Sequence, residues 1–428
     1  MLDIKLLREK SKEVEQNLAR RQNPQILKDF SLLLKFDLKH RQLIKEADDL
    51  RSKRNKLTDE IKEAKAKGRN ADKLLNEAKQ IPAALKDIDA EKNQVKEKFE
   101  LLHYSVPNLL DESVPFGKSD ADNVEVRSWG KPLKKKDLIH HGLLAAELGV
   151  ADFERAAKIS GAGFYFLKGS LALMEQALIQ YSLGKLIKKG FVFVSPPLLI
   201  NREAYAGVTD LGDFENVMYK ADNEDLYLIA TSEHPLTAMH SNEGIEEKNL
   251  PLKYCGLSAC FRKEVGKRNI DERGLFRVHQ FNKVEQIVFS RPEDSNVFLE
   301  EMVSNAEGLL KDLEIPYRVV NVCTGDMGTV AAKKYDVEGW SPREEKYIEL
   351  MSCSNCASYQ AVRSKIRLIK PNGEKEYVHT LNATMAAIPR ILRILLEQNQ
   401  TPEKTVLIPE PLQPYMNGLK EIKKEKIV

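Results

Sequence analysis

The stretch between residues 255 and 290 decides the fold. It begins CGLSACFRKE (255–264), continues through the polar loop VGKRNIDERG (265–274), and ends FRVHQFNKVEQIVFS (276–290). Both ends are apolar runs, and the second is rich in the aromatic and β-branched residues that are typical of strands. Because a polar, glycine-containing loop separates them, the stretch predicts two neighbouring antiparallel strands.

Charged residues interrupt both apolar runs. Arg262 and Glu264 are two residues apart, and Phe281, Lys283 and Glu285 follow the same spacing, so each set shares one face of its strand. A charge within a sheet costs free energy unless it is paired or bound to a ligand. For a single pair a solvated face is the simpler interpretation, but several charges in adjacent strands favour a binding site.

The surrounding sequence predicts an α+β fold. Residues 107–132 are polar and linker-like, and beyond them helices alternate with short strands. Because the strands outnumber the helices and short loops join neighbouring strands, we expect a largely antiparallel sheet with packed helices. Helices are predicted at 171–190, 295–314 and 384–400, and further strands at 191–197, 317–324, 345–354 and 365–371.

Residues 38–103 carry a different pattern, in which apolar residues recur at alternating spacings of three and four. This is the a/d seam of a coiled coil, with Arg54 and Lys92 as exceptions. Gly68 and Asn70 permit a turn between the halves, so the pattern predicts an antiparallel helical hairpin with arms of roughly 45 Å. The seam positions are Leu43, Ala47, Leu50, Leu57, Ile61, Ala64, Leu74, Ala78, Ile81, Leu85, Ile88, Val95, Phe99 and Leu102.

The tip of this hairpin is basic although the chain is nearly neutral. The 428 residues include 67 Lys and Arg and 64 Asp and Glu, for a formal net charge of +3. A charged helix is most often a solvated face. The alternative is a phosphate-binding arm, because each cation that neutralises a phosphate releases a counterion. The tip cations are Arg51, Lys53, Arg54, Lys56, Lys62, Lys65, Lys67 and Arg69.

Several classes of protein are disfavoured. No apolar run approaches the roughly 20 residues that span a bilayer, and no signal-peptide core precedes the first helix. The 5 cysteines are too sparse for a disulfide scaffold, so we expect a cytoplasmic protein without membrane partners. The common nucleotide-binding and hydrolase motifs, a P-loop, G-x-S-x-G or H-E-x-x-H, do not occur.

The charged strands resemble motif 2 of the class II aminoacyl-tRNA synthetases, in the form that the seryl enzymes have. ATSEHPLTAMHS (230–241) resembles the Thr-x-Glu serine loop of the same family, and VFVSPPLLIN (192–201) resembles motif 1 with Pro197 as its proline. CTGDMG (323–328), YIELMSCSN (347–355) and HTLNATMAAIPRILRILLEQNQ (379–400) follow in the family's order. The resemblance covers nearly the whole chain and is greatest to the archaeal branch.

The resemblance implies two domains and their roles. Residues 1–105 would form a coiled-coil arm that binds tRNA, and residues 106–428 would form the catalytic domain. The reaction implied is attachment of L-serine to tRNA(Ser), and also to tRNA(Sec) where the organism has one. Serine is first activated with ATP, its carboxylate attacking the α-phosphorus, and the seryl-adenylate then esterifies the terminal ribose of the tRNA. Because motif 1 forms the dimer interface in this class, a homodimer is also implied.

The implied ATP site combines cations, an aromatic face and oxygen ligands. Arg262 and Arg390 would be the catalytic residues, on the α- and γ-phosphate respectively, since guanidinium geometry suits phosphate oxygens. Glu264 would accept from the adenine amino group, and Glu349 and Ser352 would ligate Mg²⁺. Two aromatic faces are available, and the resemblance favours Phe281 over Phe276. The remaining implied contacts are Lys263, Val278, Leu350 and Met351.

The implied serine site is polar. Glu233 and Glu285 would take the ammonium and the hydroxyl, and Asn382 would help to position the substrate. A site that hydrogen-bonds the hydroxyl rejects alanine, because its polar groups would be left unpaired. The other implied contacts are Thr231, Ser232 and Thr384. No general base is required, since positioning and charge stabilisation carry the reaction.

Three features depart from the family pattern or leave alternatives open. The motif 2 loop is shorter by about a residue, and motif 3 has Asn382-Ala-Thr384 where glycines are frequent. Cys353 and Cys356 form a lone C-x-x-C, for which a zinc site competes with buried reduced thiols. Because the Thr-x-Glu loop belongs to the zinc-independent form, no zinc is expected.

Two other functions compete with ligation. A catalytically silent synthetase-like protein could keep only tRNA or carrier-protein binding, and a coiled-coil adaptor could use the globular part as a structural head. Retention of Arg262, Glu285, Glu349 and Arg390 together disfavours the silent protein. The adaptor leaves the charged strand faces without a purpose.

Overall fold

The computed structural model describes residues 1–210, 217–264 and 274–426. Two units emerge, a helical one made of Leu2–Ala19 and Asn23–Pro107, and a larger one made of Asn108–Val428 with Met1 and Arg20–Gln22. The predicted motif 2 loop, apart from Gly274, lies outside the described residues. Within the described ranges, no helix is both long and apolar enough to cross a membrane.

Two long helices dominate the helical unit. Its helices are α1 (Ile4–Glu9), α2 (Ser11–Ala19), α3 (Pro24–Ala66) and α4 (Asp72–Ser105). Helix α3 starts at residue 24 rather than near residue 38, so its 43 residues reach about 65 Å, longer than expected. Asn23 caps the helix by accepting from the Gln25 amide, and Pro24 suits the first helical position because its missing N–H would be unpaired there.

The predicted seam is confirmed by burial. Among the seam residues, Leu43, Ala47, Leu57, Ile81 and Val95 are buried, and the others are half-buried. Helices α3 and α4 pack against each other through this stripe. The turn between them contains Gly68 at φ +63°, a left-handed conformation that glycine adopts without steric cost.

The larger unit contains the remaining helices and all the strands of the described residues. The helices are α5 (His141–Glu147), α6 (Phe153–Ser160), α7 (Gly169–Lys188), α8 (Arg202–Val208), α9 (Glu233–Ala238), α10 (Ser295–Asp312), α11 (Tyr359–Ser364) and α12 (Ile388–Gln398). The strands are β1 (Val124–Trp129), β2 (Ala151–Asp152), β3 (Phe166–Leu167), β4 (Val192–Val194), β5 (Leu199–Asn201), β6 (Leu226–Leu228), β7 (Gly244–Glu246), β8 (Leu252–Phe261), β9 (Gln280–Ser290), β10 (Tyr317–Asn321), β11 (Lys333–Ser341), β12 (Lys346–Asn355), β13 (Arg367–Ile369), β14 (Lys375–Tyr377), β15 (His379–Ala387), β16 (Val406–Leu407) and β17 (Glu421–Ile422).

One large sheet organises this unit, as the sequence predicts. Its strand order is β1-β10-β11-β12-β15-β9-β8-β4, and within it β4 pairs parallel to β8 while the other neighbours are antiparallel. Side chains of α7, α10 and α12 pack with one face of the sheet into the main hydrophobic core. The other face of the central strands is therefore available for polar side chains.

The helix predicted over residues 384–400 is wrong in its first part. Residues 379–387 form strand β15, and α12 begins only at Ile388, with Pro389 in its first turn. The small residues Ala383, Ala386 and Ala387 fit a strand that is buried between two neighbours. Sequence periodicity could not distinguish this short apolar strand from a buried helical turn.

Candidate active site

A cavity of about 420 Å³ opens on the polar face of the central strands, next to the start of α12. Most of the residues predicted for ATP line it, together with residues that the sequence analysis did not assign. The lining is Arg262, Glu264, Phe276, Arg277, Val278, Phe281, Lys283, Glu349, Leu350, Ser352, Thr384, Ala387, Pro389 and Arg390. The structure thus brings together side chains from β9, β12, β15, α12 and the ends of the motif 2 loop.

Strand β9 supplies one row of this site. Phe281, Lys283 and Glu285 lie on the same face of β9, as their spacing of two residues predicts. Val284 and Val288 lie on the other face and pack in the main core. Lys283 and Glu285 pair at 2.5 Å and are almost fully buried. The prediction that Arg262 belongs to the neighbouring strand is corrected, because β8 ends at Phe261 and Arg262 lies just beyond it.

A β-bulge brings Glu349 to the cavity. Along the β11–β12 pair, Val337 faces Met351 but the next residue, Glu338, faces Glu349, so Leu350 is an extra residue on β12. With strict alternation Glu349 would share the face of Met351, which lies in the hydrophobic core. The bulge reverses the alternation, so that Glu349 lines the cavity together with Leu350 and Ser352.

A second bulge acts in the same way on β15. Thr384 faces Glu285 on β9 and Ala386 faces Val284, which leaves Met385 as the extra residue. Thr384 and Ala387, which are three residues apart, therefore both line the cavity. Small residues at this point keep the space above the sheet open for a ligand.

The cations of the cavity are held by acidic and aromatic partners. Arg262 donates from Nε to the Ala230 carbonyl at 3.3 Å, and its guanidinium lies 5.3 Å from the centre of the Phe281 ring. Glu264, predicted to recognise adenine, accepts from Arg277 Nε at 2.6 Å. This contact fixes the orientation of the Glu264 carboxylate at the edge of the cavity.

Arg390 and Glu349 form a second charged pair in the lining of the cavity. Arg390 Nη1 lies 3.1 Å from Glu349 Oε1 and donates to the Glu349 carbonyl at 2.8 Å. Burial acts to raise the pKa of Glu349, but Arg390, Lys334 and Arg262 outweigh it and lower the pKa below its ordinary value. Glu349 is therefore ionised and can accept a cation.

Glu233 is the centre of a polar cluster next to the cavity. Its Oε1 accepts from Gln360 Nε2 at 3.0 Å and from Asn382 Nδ2 at 3.1 Å. Burial, reinforced by the nearby charge of Glu285, raises the pKa of Glu233 to about 7, although Lys283, Gln360 and Arg262 act in the opposite direction. Thr380 donates to Gln360 Oε1 at 2.6 Å and so fixes the amide that contacts Glu233.

Glu285 lies between this cluster and the cavity, next to Lys283 and Thr384. Its Oε2 accepts from Thr384 Oγ1 at 3.3 Å, and its neighbour on β8 is Gly256. A Cβ at Gly256 would lie 2.8 Å from Ser232 Oγ, so glycine is needed for this loop to approach the sheet. The Thr231 hydroxyl accepts from the Glu233 amide at 3.2 Å, which begins helix α9 next to the site.

Three predicted contact residues have side chains elsewhere. The Ser232 hydroxyl is buried and donates to the Gly256 carbonyl at 3.4 Å, and Met351 packs in the hydrophobic core. Lys263 extends toward the Tyr219 ring, at 5.9 Å from its centre, and does not line the cavity. None of these three residues lines the cavity. Val278, by contrast, lines the cavity.

The cysteines are buried thiols in the described residues. Cys353 lies in the main core, and Cys356 accepts from Asn382 Nδ2 at 3.5 Å. Across the described ranges, no three His, Cys, Asp or Glu side chains are grouped closely enough to hold a metal ion. That no zinc is required stays a prediction.

Sequence reasoning assigned no role to three polar residues of the site, although it placed Lys283 on the charged face of β9. Arg277 and Lys283 line the cavity, and Gln360 holds Glu233. Arg277 could have been found as a second cation beside the motif 2 loop with an acid, Glu264, to pair with. Gln360 lies on α11 in a segment without any motif, so nothing in its neighbourhood marked it.

Comparison with known proteins now identifies the family. The family model for the seryl-tRNA synthetase N-terminal domain matches residues 1–110, and that for the tRNA synthetase class II core domain (G, H, P, S and T) matches residues 215–399. The serine–tRNA ligase of Methanocella arvoryzae is 50% identical over 98% of this chain and 99% of its own length.

Solved structures agree with the sequence comparison. The seryl-tRNA synthetase of Pyrococcus horikoshii complexed with ATP has a TM-score of 0.93 at 44% identity. The match covers 100% of this chain and 100% of that one. The cytoplasmic serine–tRNA ligase of Naegleria fowleri in complex with AMP has a TM-score of 0.88 at 32% identity, covering 100% of this chain and 99% of its own. The expected α+β class II fold and the likeness to archaeal enzymes are confirmed. On these matches and on the site geometry, the chain belongs to the seryl-tRNA synthetase family.

Proposed function

We propose that this chain activates L-serine with ATP at the described cavity and transfers the seryl group to the 3′ end of tRNA(Ser). The observation that carries the proposal is the continuity of two sites on one sheet face. Arg262, Arg277 and Arg390 surround the cavity, and Glu233 and Glu285 lie directly beyond it. Cations suit a polyphosphate, and carboxylates suit an ammonium and a hydroxyl.

This arrangement can carry adenylate formation without a covalent enzyme intermediate. Glu233 binds the serine ammonium and Glu285 the hydroxyl, with Thr231, Asn382 and Thr384 around them, which leaves the serine carboxylate facing the ATP α-phosphate. Arg262 stabilises the charge that develops at the α-phosphorus, and Arg390 holds the departing pyrophosphate. Adenine lies on Phe281, with Glu264 accepting from its amino group.

The cavity also fits Mg²⁺. Hard cations require oxygen ligands, and the Glu349 carboxylate and the Ser352 hydroxyl both line the cavity. These two residues would hold the ion, which when bound would neutralise charge on the ATP phosphates. The family relationship supports ATP as substrate. Binding of Mg²⁺ is our proposal and is based on the two oxygen ligands.

Glu349→Gln is expected to weaken binding of Mn²⁺, used as a probe for Mg²⁺, in the presence of ATP by at least tenfold. The reason is that the amide keeps the shape but loses the anionic oxygen. Electron paramagnetic resonance of free Mn²⁺ measures this directly. The matched control is Glu345→Gln, because Glu345 is an exposed carboxylate just before β12. Equal Mn²⁺ affinity for both variants would contradict the assignment.

The affinity for serine is expected to depend on pH through Glu233. Its pKa of about 7 is raised above the ordinary value, so the carboxylate is mostly protonated below pH 7 and ionised above it. Because the serine ammonium binds the ionised form, KM for serine should be about tenfold higher at pH 6 than at pH 8. Initial rates of ATP–pyrophosphate exchange measure this, and Glu233→Gln should raise KM and remove its pH dependence. A flat profile in the unaltered enzyme would contradict the role of Glu233.

Serine-dependent ATP–pyrophosphate exchange is the decisive test of the function. We expect exchange with L-serine, strongly reduced exchange with alanine and threonine, and charging of tRNA(Ser) transcripts. Absence of exchange in folded protein that still binds tRNA would favour the catalytically silent alternative. tRNA(Sec) is a second proposed substrate, and charging of its transcript in the same assay tests it.

Our proposal assigns the domains their roles. Residues 1–105 bind tRNA and residues 106–428 catalyse both steps. The match of the N-terminal family model to residues 1–110 and of the class II core model to residues 215–399 supports this division. Five free buried thiols are consistent with a reducing, cytoplasmic compartment, which we include in the proposal. Localisation of a tagged copy of the full chain tests that part.

A homodimer through motif 1 is supported by exposed apolar side chains on an edge of the large sheet. Strand β4 ends the sheet, and Val192 and Phe193 on it are 58% and 43% exposed. An exposed apolar edge strand is a site for pairing with another chain. We expect the mass of a dimer by light scattering, and a monomer for Phe193→Lys. Val297→Lys, at an apolar position that is 68% exposed on α10, should leave the dimer intact. If Phe193→Lys also remains a dimer, this interface is contradicted.

A further inference from the structure

Arg393 is a buried cation directly behind the ATP cavity. It is only 1% exposed and is the largest of the almost fully buried side chains among the described residues. Its Nε donates to Glu397 Oε1 at 3.0 Å, and its Nη2 contacts Glu344. Burying an ion trio of this kind has a large desolvation cost, and well-packed apolar residues can replace such groups without loss of stability. Stability alone therefore does not explain an arginine here.

The Phe276 ring connects this buried cation to the cavity. The Arg393 guanidinium lies 4.5 Å from the centre of the ring, and the Arg390 guanidinium lies 5.3 Å from the same centre. Both distances are within the range of a cation–π contact. Arg390 and Phe276 line the cavity, whereas Arg393 does not.

Helix geometry and charge explain how two cations can share one ring. Arg390, Arg393 and Glu397 are spaced by three and four residues along α12 and so lie on one side of it. Glu349 pairs with Arg390, and Glu397 pairs with Arg393, so each guanidinium has its own counter-charge. The repulsion between the cations is thereby reduced, and the attraction of each to the ring remains.

A buried network fixes Arg393 and the segment that carries Phe276. Glu397 Oε2 accepts from Ser341 Oγ at 2.7 Å, and Glu397 Oε1 lies 3.3 Å from His141 Nδ1. His141 Nε2 accepts from the backbone amide of Leu275 at 3.3 Å. Leu275 directly precedes Phe276 in the chain. Helix α12, helix α5 and the β11–β12 turn thus hold both sides of the Arg393–Phe276 contact.

We propose that Arg393 is a positioning residue that acts through Phe276 to orient Arg390 for the triphosphate of ATP. Arg393 fixes the ring, and the ring holds the Arg390 guanidinium over the cavity before ATP arrives. Arg390 then loses little side-chain freedom when ATP binds, so affinity for ATP rises. The inference rests on the proposed function, in which the cavity binds ATP. It concerns Arg393 and Phe276, neither of which the proposed function places in contact with ATP or serine.

Two substitutions in the full-length enzyme test the proposal. Phe276→Leu removes the ring but keeps an apolar side chain, and Arg393→Lys keeps the charge but loses the planar group. For both, KM for ATP in pyrophosphate exchange should rise by about tenfold, while KM for serine stays within twofold. Phe276→Tyr, which retains a ring, should restore KM for ATP. Any substitution of a buried residue is expected to change Tm, so Tm does not test the proposal. The test is whether KM for ATP rises while KM for serine does not.

A matched control separates positioning from simple stability. Arg318 likewise pairs with a glutamate, Glu338 at 2.5 Å, and lies 5.0 Å from the centre of the Tyr347 ring, but it does not line the cavity. Arg318→Lys should lower Tm without changing KM for ATP. If Arg393→Lys does not fold, the combination Arg393→Met, Glu344→Gln and Glu397→Gln removes the buried charges together and should still show the raised KM for ATP.

The outcomes distinguish this inference from the proposed ATP site. Arg390→Ala should weaken ATP binding, measured by calorimetry, more than either positioning variant. If Arg390→Ala weakens ATP binding while Phe276→Leu and Arg393→Lys leave KM for ATP unchanged, the positioning role is overturned and the ATP site stands. If Arg390→Ala has no effect on ATP affinity, the ATP site itself is misassigned.

Discussion

Reversing three charges at the tip of the helical hairpin is expected to lower kcat/KM for tRNA charging by a factor on the order of 10², with ATP–pyrophosphate exchange unchanged. The substitutions are Lys56→Glu, Lys65→Glu and Arg69→Glu. All three side chains are exposed, and no ion pair with another described residue engages them. By contrast Lys53 pairs with Glu77 at 2.5 Å, so its charge is already partly neutralised. Unpaired cations are those most able to release counterions from a phosphate backbone.

The salt dependence of charging provides a second measurement on the same variant. If each lost cation contacted one phosphate, the slope of log kcat/KM against log salt should become shallower by about 2 to 3. The matched control carries Lys28→Glu, Lys35→Glu and Lys45→Glu, which change the net charge equally at exposed positions nearer the start of α3. A loss of the same size in both triple variants would show a general charge effect and not a tRNA-binding tip.

Replacing Arg262 is expected to have the largest effect on adenylate formation. Arg262→Lys should lower kcat for ATP–pyrophosphate exchange by about 10³-fold, because lysine keeps the charge but cannot contact two phosphate oxygens in a fixed plane. The guanidinium is already oriented by the Ala230 carbonyl and by the Phe281 ring, so the geometry is prepared before ATP binds. Single-turnover rates with saturating ATP and serine measure the chemical step.

Arg367 provides the control for this substitution. Its guanidinium lies 3.6 Å from the centre of the Tyr377 ring, outside the cavity, so Arg367→Lys removes a similar contact without touching the site. It should leave the exchange rate within twofold of the unaltered enzyme. A small effect of Arg262→Lys with an equal effect of Arg367→Lys would refute a special role for Arg262 at the α-phosphate.

Much of this molecule can be predicted from local sequence patterns. The coiled-coil seam follows from residue spacing, because apolar residues three and four apart meet on one side of a helix. The face of β9 with Phe281, Lys283 and Glu285 follows from the alternation of a strand, and the antiparallel sheet from short polar loops. The family follows from several motifs that occur in one order along the chain.

The bulges and the buried partners depend on the tertiary structure. Alternation alone would direct Glu349 into the core, and only the mismatch in length between β11 and β12 brings it to the cavity. Gln360 and Arg393 reach their partners through packing of α11 and α12 against strands that are distant in sequence. The sequence by itself determined the elements, their faces and the family, because those depend on neighbours within a few residues. Which charges meet across the sheet was decided only in the tertiary structure, because such pairs are set by register and packing between distant segments.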